Sequence, residues 1–251
     1  MRKTGRFFAA AIALFIVAAA QARGSSEAEP SLSPDQAIRM LEDGNAAFVA
    51  GAPKHPNADR ERRELTATKG QHPFVAMLSC SDSRVPVELL FDAGVGDIFS
   101  VRVAGNVADT DEIGSLEYGV DHLGAPLLVV LGHTHCGAVT AVVEGARLHG
   151  NLPPLVAHIA PAVDKVKARQ PGLAEDALVD AATRANVWNS IEDALKKSAI
   201  LRQRVGSGRL KIVGALYDIN SGRVEWLGAH PDQDKILAAG STPETLAEPA
   251  K

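Results

Sequence analysis

Only two cysteines occur in the chain, and each lies among groups able to do chemistry. Cys80 opens Cys80-Ser81-Asp82-Ser83-Arg84, and Cys136 closes His133-Thr134-His135-Cys136. Each follows an apolar, strand-like run. Two thiols and an imidazole form a soft three-ligand set that suits zinc and leaves a fourth position open. An Asp and an Arg stand two and four residues beyond the first cysteine, which outlines a catalytic metal site rather than a structural one. Open zinc sites lower the pKa of bound water to about 7. The chemistry on offer is therefore attack of hydroxide on an electrophile that the spacing alone leaves unnamed.

Of the two imidazoles beside Cys136, His133 is the better ligand, because a turn can bring residues three apart to one ion. His135 is adjacent to Cys136 and points elsewhere. Two roles are open to Asp82. It can close the site as a fourth ligand, or pair with Arg84 and accept a hydrogen bond from metal-bound water, since a carboxylate held by a guanidinium stays ionised and fixed in orientation. A Cys80–Cys136 disulfide is the competing use of the two thiols in an oxidising compartment. Such a staple gives Asp82, Arg84 and His133 no role, and a chain of 251 residues does not need one for stability.

The elements that must position these groups read as an α/β fold. It has a mainly parallel central β-sheet flanked by helices, a C-terminal hairpin and an N-terminal helical arm. Phe74 to Leu78, Asp97 to Ala104, Pro126 to Leu131 and Leu210 to Tyr217 read as strands, and Asn220-Ser221-Gly222 turns the last into Arg223 to Leu227. Ser33-Pro34-Asp35 starts a helix that runs towards Gly44-Asn45. More helix is expected near Arg60 to Ala67, after Asp109-Thr110-Asp111, and over Gly137 to Gly145, Leu155 to Arg169 and Leu173 to Arg204. In such folds sites lie at the carboxyl ends of strands. Cys80 follows the first strand and His133 ends the third, so the sheet brings them to one edge across 53 residues of sequence. A helix starting after Cys136 favours its thiolate, the form that binds metal.

Composition bounds the remainder. The chain is 46% hydrophobic and 22% charged with a net charge of −4 and no basic block. That is ordinary for one globular domain and excludes nucleic acid as a natural partner. Met1 to Ala22 reads as a signal peptide: Arg2, Lys3 and Arg6, then the apolar run Phe7 to Ala20, then Ala20-Gln21-Ala22 as a cleavage site. The apolar run is too short to span a bilayer comfortably, so no stable membrane anchor remains after cleavage. The expected destination is a bacterial periplasm or the exterior. Residues 23–32 form a flexible linker, 33–230 the catalytic domain and 231–251 a loose polar tail.

The ligand motifs resemble those of the β-class carbonic anhydrases. Cys80-Ser81-Asp82-Ser83-Arg84-Val85-Pro86 and Gly132-His133-Thr134-His135-Cys136-Gly137 carry the resemblance. Gly44-Asn45 with Phe48, Arg102-Val103-Ala104-Gly105-Asn106, Asn186-Val187 with Ser190-Ile191, and Tyr217-Asp218 with Ser221-Gly222 extend it over about residues 33–228. It implies reversible hydration of CO2 to bicarbonate and a proton, with one Zn2+ per chain on Cys80, His133 and Cys136. It also implies that Asp82 and Arg84 act as the dyad that orients hydroxide on the metal. Gln71, Phe99 and Tyr118 fall where the plant-type members have substrate-pocket residues. Met77 stands where the bicarbonate-inhibited subtype has Trp, although Arg102 matches that subtype's second bicarbonate-binding Arg, so an open site without Asp82 ligation is expected near neutral pH. The resemblance further implies self-association as dimers or larger assemblies, with each site built across an interface. Rival readings are a zinc hydrolase acting on CS2 or COS, and a non-catalytic zinc or redox protein. Cobalt, iron and cadmium share the ligand preference. His72, His122 and His149 are candidate proton shuttles.

Overall fold

The computed structural model describes residues 32–240. The segment read as a signal peptide, nearly all of the expected linker and the last part of the tail lie outside the described residues.

Five strands form one sheet: β1 (Val75–Ser79), β2 (Ile98–Arg102), β3 (Leu127–His133), β4 (Lys211–Tyr217) and β5 (Val224–Gly228). Their spatial order is β2-β1-β3-β4-β5. The first four are parallel, and β5 returns antiparallel to β4 through the hairpin. Strands β1 and β3 are buried along their whole length, which is why they read as continuous apolar runs rather than alternating ones. One face carries Val75, Met77, Leu127, Val129, Val213 and Tyr217, and packs on α1 (Pro34–Val49) and α3 (Val87–Leu90). The other carries Ala76, Leu78, Leu128, Val130 and Ile212. It is covered by α4 (Thr110–Glu117), α8 (Glu175–Lys197) and α9 (Ala199–Gly206). Met77 is thus fully buried core on the face opposite to Cys80.

The first helix does not stop at Gly44-Asn45. A Cβ on Gly44 would lie 1.8 Å from the Phe91 carbonyl oxygen, so glycine lets the helix pass directly over the end of α3. Asn45 then donates to the carbonyls of Leu90 and Gly222 and accepts from the Val224 amide. One buried side chain ties the arm to two distant loops. A second helix, α2 (Arg60–Lys69), follows.

Two long helical expectations break in the structure. The stretch 155–169 is divided into α6 (Leu152–Ala157) and α7 (Ala160–Arg169), because Pro161 has no N–H and clashes with the preceding turn. The stretch 173–204 breaks at Ser198, whose φ of −107° and ψ of 110° leave the helix. The Ser198 hydroxyl caps α9 by accepting from the Leu201 amide and donates to Glu117. The tail is not uniformly loose either. Residues Gln233–Ala239 form α10, which buries Ile236 against the core beside α8.

Candidate metal centre

Cys80 is the first residue after β1, His133 the last of β3, and Cys136 the residue that starts α5 (Gly137–Val143). Because β1 and β3 are adjacent and parallel, the two ligand segments emerge side by side. The ligand atoms of Cys80, His133 and Cys136 all lie within 4.8 Å of one another, and all three residues are buried. Both cysteines are free thiols, so no disulfide forms between them.

His133 Nδ1 lies 2.9 Å from the Thr134 carbonyl, which can only accept. That bond sets the tautomer, with the proton on Nδ1. Nε2 is buried and has no hydrogen-bond partner, so its lone pair is held ready for a cation. Cys80 Sγ accepts from the amides of Gly105 at 3.3 Å and Asp82 at 3.4 Å. A hydrogen bond from the Cys136 thiol is the largest influence on Cys80. With help from the two amides, and against burial, it pulls the thiol down to about 4. Cys136 moves the other way: its hydrogen bond to Cys80, then burial and the charge on Cys80, push it up, although the Val139 and Ala138 amides at the start of α5 oppose this. Left to themselves the two sulfurs share one proton. A divalent cation is what allows both to be thiolates, since metal binding displaces the ligand protons. A buried soft set with an unpartnered imidazole nitrogen fits zinc.

Beside this cluster the Asp82 and Arg84 side chains form a fork. Arg84 Nε and Nη2 donate to the two Asp82 carboxylate oxygens at 2.9 and 2.8 Å, and the Arg84 amide adds a third bond at 2.9 Å. Chiefly through the Arg84 side chain, Asp82 is held well below the usual carboxylate range. Arg84 also donates to the His135 carbonyl at 3.2 Å, which joins the two ligand turns. His135 itself adopts a left-handed φ of 56° and is exposed, its ring against Asn220 rather than the cluster.

Arg102, at the end of β2, was legible only as a subtype marker. Its guanidinium donates to the carbonyls of Cys80 at 3.1 Å and Asp82 at 2.7 Å. It therefore holds the ligand turn. The signal in sequence was its register alone, since β2 places it opposite Ser79.

Gln71, Phe99 and Tyr118 do not join the cluster within one chain. Phe99 pairs with Ala76, four residues before Cys80, roughly 13 Å back along the strand. Tyr118 is exposed, with its ring 5.9 Å from that of Phe99 and stacked on His122 at 4.8 Å. Gln71 is exposed in the segment leading into β1 and lies beside Gly96, just before β2. All three sit towards the amino end of the strands around the outer strand β2, whereas the ligands sit at the carboxyl end. His72, His122 and His149 are exposed.

An ion-paired carboxylate next to a Cys-His-Cys cluster, at the carboxyl edge of a parallel sheet, defines a catalytic centre for a soft metal. Residues 75–224 match the family model described as carbonic anhydrase. The chain is 38% identical over 198 residues to carbonic anhydrase 2 of Mycobacterium tuberculosis, covering 77% of this chain and 93% of that protein. It is 40% identical over 200 residues to the carbonic anhydrase of Mycolicibacterium smegmatis, covering 78% and 94%. Among solved structures, the β-carbonic anhydrase CafA of Aspergillus fumigatus is similar at a TM-score of 0.64 and 27% identity, covering 81% of this chain and 96% of that one. A β-carbonic anhydrase of Sordaria macrospora, described as tetrameric, shares the fold at a TM-score of 0.62 and 24% identity, covering 76% and 97%. The chain belongs to the carbonic anhydrase family, and within it to the β class, the carbonate dehydratases.

Proposed function

We propose that this protein catalyses the reversible reaction CO2 + H2O ⇌ HCO3− + H+, with one zinc ion per chain on Cys80, His133 and Cys136. The observation that carries the reading is the buried three-ligand cluster with its unpartnered His133 Nε2 beside the Asp82–Arg84 fork. Zinc held there supplies a Lewis acid that makes water nucleophilic near neutral pH. Asp82 acts as an acceptor of fixed orientation: Arg84 keeps it ionised and occupied in the fork, so that it aligns the nucleophile instead of ligating the metal. The Arg84 bond to the His135 carbonyl keeps this acceptor in register with both ligand turns. The product proton leaves to solvent or buffer.

Stopped-flow CO2 hydration on zinc-loaded protein, with metal content measured on the same sample, tests this. The expected result is about one zinc per chain and rapid hydration that falls about 10- to 100-fold in Asp82→Asn with zinc retained. One bound zinc with no hydration between pH 6 and 9 refutes the assignment.

Two further parts belong to the proposal. Gln71, Phe99 and Tyr118 line the substrate pocket of a neighbouring chain, in a dimer or larger assembly joined at the β2 side of the sheet. Support comes from the motif resemblance and from the outer position of β2, a strand with one unpaired side. Met1 to Ala22 directs export, supported by its basic, apolar and small-residue order. N-terminal sequencing of the protein from the periplasm of a Gram-negative host should start at Arg23. An intact Met1 terminus in the cytoplasm refutes export.

A further inference from the structure

We propose that Asn186 is a positioning residue for the metal centre, holding the Gly105 turn so that the Gly105 N–H stays against the sulfur of Cys80. The proposal rests on the zinc reading above. Asn186 lies in the middle of α8 and is 1% exposed. Its Nδ2 donates to the Gly105 carbonyl at 2.7 Å, across 81 residues of sequence. Its own Oδ1 is buried without any partner. A buried amide whose oxygen goes unpaired is a cost to the fold, so the one bond it does make points to a role beyond filling space.

The purpose lies at Gly105. This residue has a φ of 74°, and a Cβ there would lie 2.6 Å from Ile159 Cδ1 and 3.3 Å from Ala138 Cβ. The left-handed φ favours glycine, yet glycine has the widest backbone freedom of any residue. Its N–H has to point at Cys80 Sγ, 3.3 Å away. Anchoring the carbonyl of that residue from α8 removes the freedom that glycine brings. An N–H bond to a ligand sulfur draws charge from it and fixes its direction, and such outer partners adjust how tightly a metal is held. Residues 182, 183 and 187 of α8 are also buried, so the helix face that presents Asn186 is itself firmly seated.

The test combines zinc affinity, by competition with a chromophoric chelator, with the thiolate-to-cobalt charge-transfer band of the Co(II)-substituted protein. The variants are Asn186→Leu, Asn186→Ser and, as a packing control on the same helix, Ile191→Ala. Both Asn186 variants are expected to bind zinc about 10- to 100-fold more weakly and to shift the band. Ile191→Ala is expected to lower the melting temperature and leave both readouts unchanged. Folded Asn186 variants with wild-type zinc affinity and an unshifted band overturn the proposal. If Asn186→Leu does not fold, Asn186→Ser decides by the same readouts. Failure of both to fold assigns Asn186 to the core and also overturns the proposal. A wild-type protein that takes up no zinc and gives no cobalt–thiolate band would instead overturn the zinc reading itself.

Discussion

Asp82 is the residue whose type says least and whose partners say most. A carboxylate two residues from Cys80 has a choice between a metal and the guanidinium, and in the structure three bonds from Arg84 occupy it. The pairing has a pH signature. A carboxylate held lower in the folded than in the unfolded chain adds stability that is present above the unfolded value, about 3.9, and disappears as the pH falls through the folded one. The unfolding free energy of metal-stripped wild type relative to Asp82→Asn should therefore be constant from pH 9 to 5 and shrink below about pH 4. Urea titrations of the two proteins would show it, and a difference that already declines between pH 7 and 5 would mean that Arg84 does not hold the carboxylate.

At the scale of elements, the site depends on how closely α8 approaches the sheet. A Cβ on Gly132, the residue before His133, would lie 2.6 Å from Val187 Cγ2 and 3.0 Å from Leu216 Cδ2. Val187 is β-branched and stiff within a helix, so it cannot swing aside. Gly132→Ala is expected to cost about 1–3 kcal/mol of stability, as overpacking does, measurable by chemical denaturation. A neutral effect would show that the seam between α8 and β3 is loose. The interruptions of the long helices belong to the same scale. Pro161 was visible as a breaker, and Ser198 follows Lys196-Lys197 in the order of a helix end and a new cap. Apolar periodicity ran through both positions and concealed the breaks. The tail helix was hidden because its buried side is short, with Ile236 as its one buried residue.

For the whole molecule, the pocket role proposed for Gln71, Phe99 and Tyr118 requires a second chain, because they lie away from the Cys-His-Cys cluster. If each pocket takes those residues from a neighbour, two damaged proteins can repair one another. Gln71→Leu and Asp82→Asn chains, mixed and allowed to exchange, would form some assemblies in which one site has both Asp82 and Gln71 intact. Hydration by the mixture is then expected to exceed the mean of the two parents, with sedimentation confirming mixed assemblies. Activity equal to that mean, in assemblies that have exchanged, would place the pocket residues within one chain or outside the reaction.

The sequence by itself determined which three side chains come together in the Cys-His-Cys cluster, the order of the strands along the chain and the sheet edge on which the cluster had to lie. Those follow from local chemistry: Cys and His types at fixed spacing, buried runs four to seven residues long, and the rule that parallel strands present their carboxyl ends together. Only the tertiary structure decided which nitrogen of His133 is free, since that depends on the Thr134 carbonyl. It also decided that Arg102 clamps the ligand turn and that Asn186 reaches Gly105. The Arg102 and Asn186 bonds join segments distant in sequence and are made by ordinary polar residues whose type fits many roles. Strand register and helix approach bring such residues within hydrogen-bonding distance, and no spacing along the chain encodes that distance.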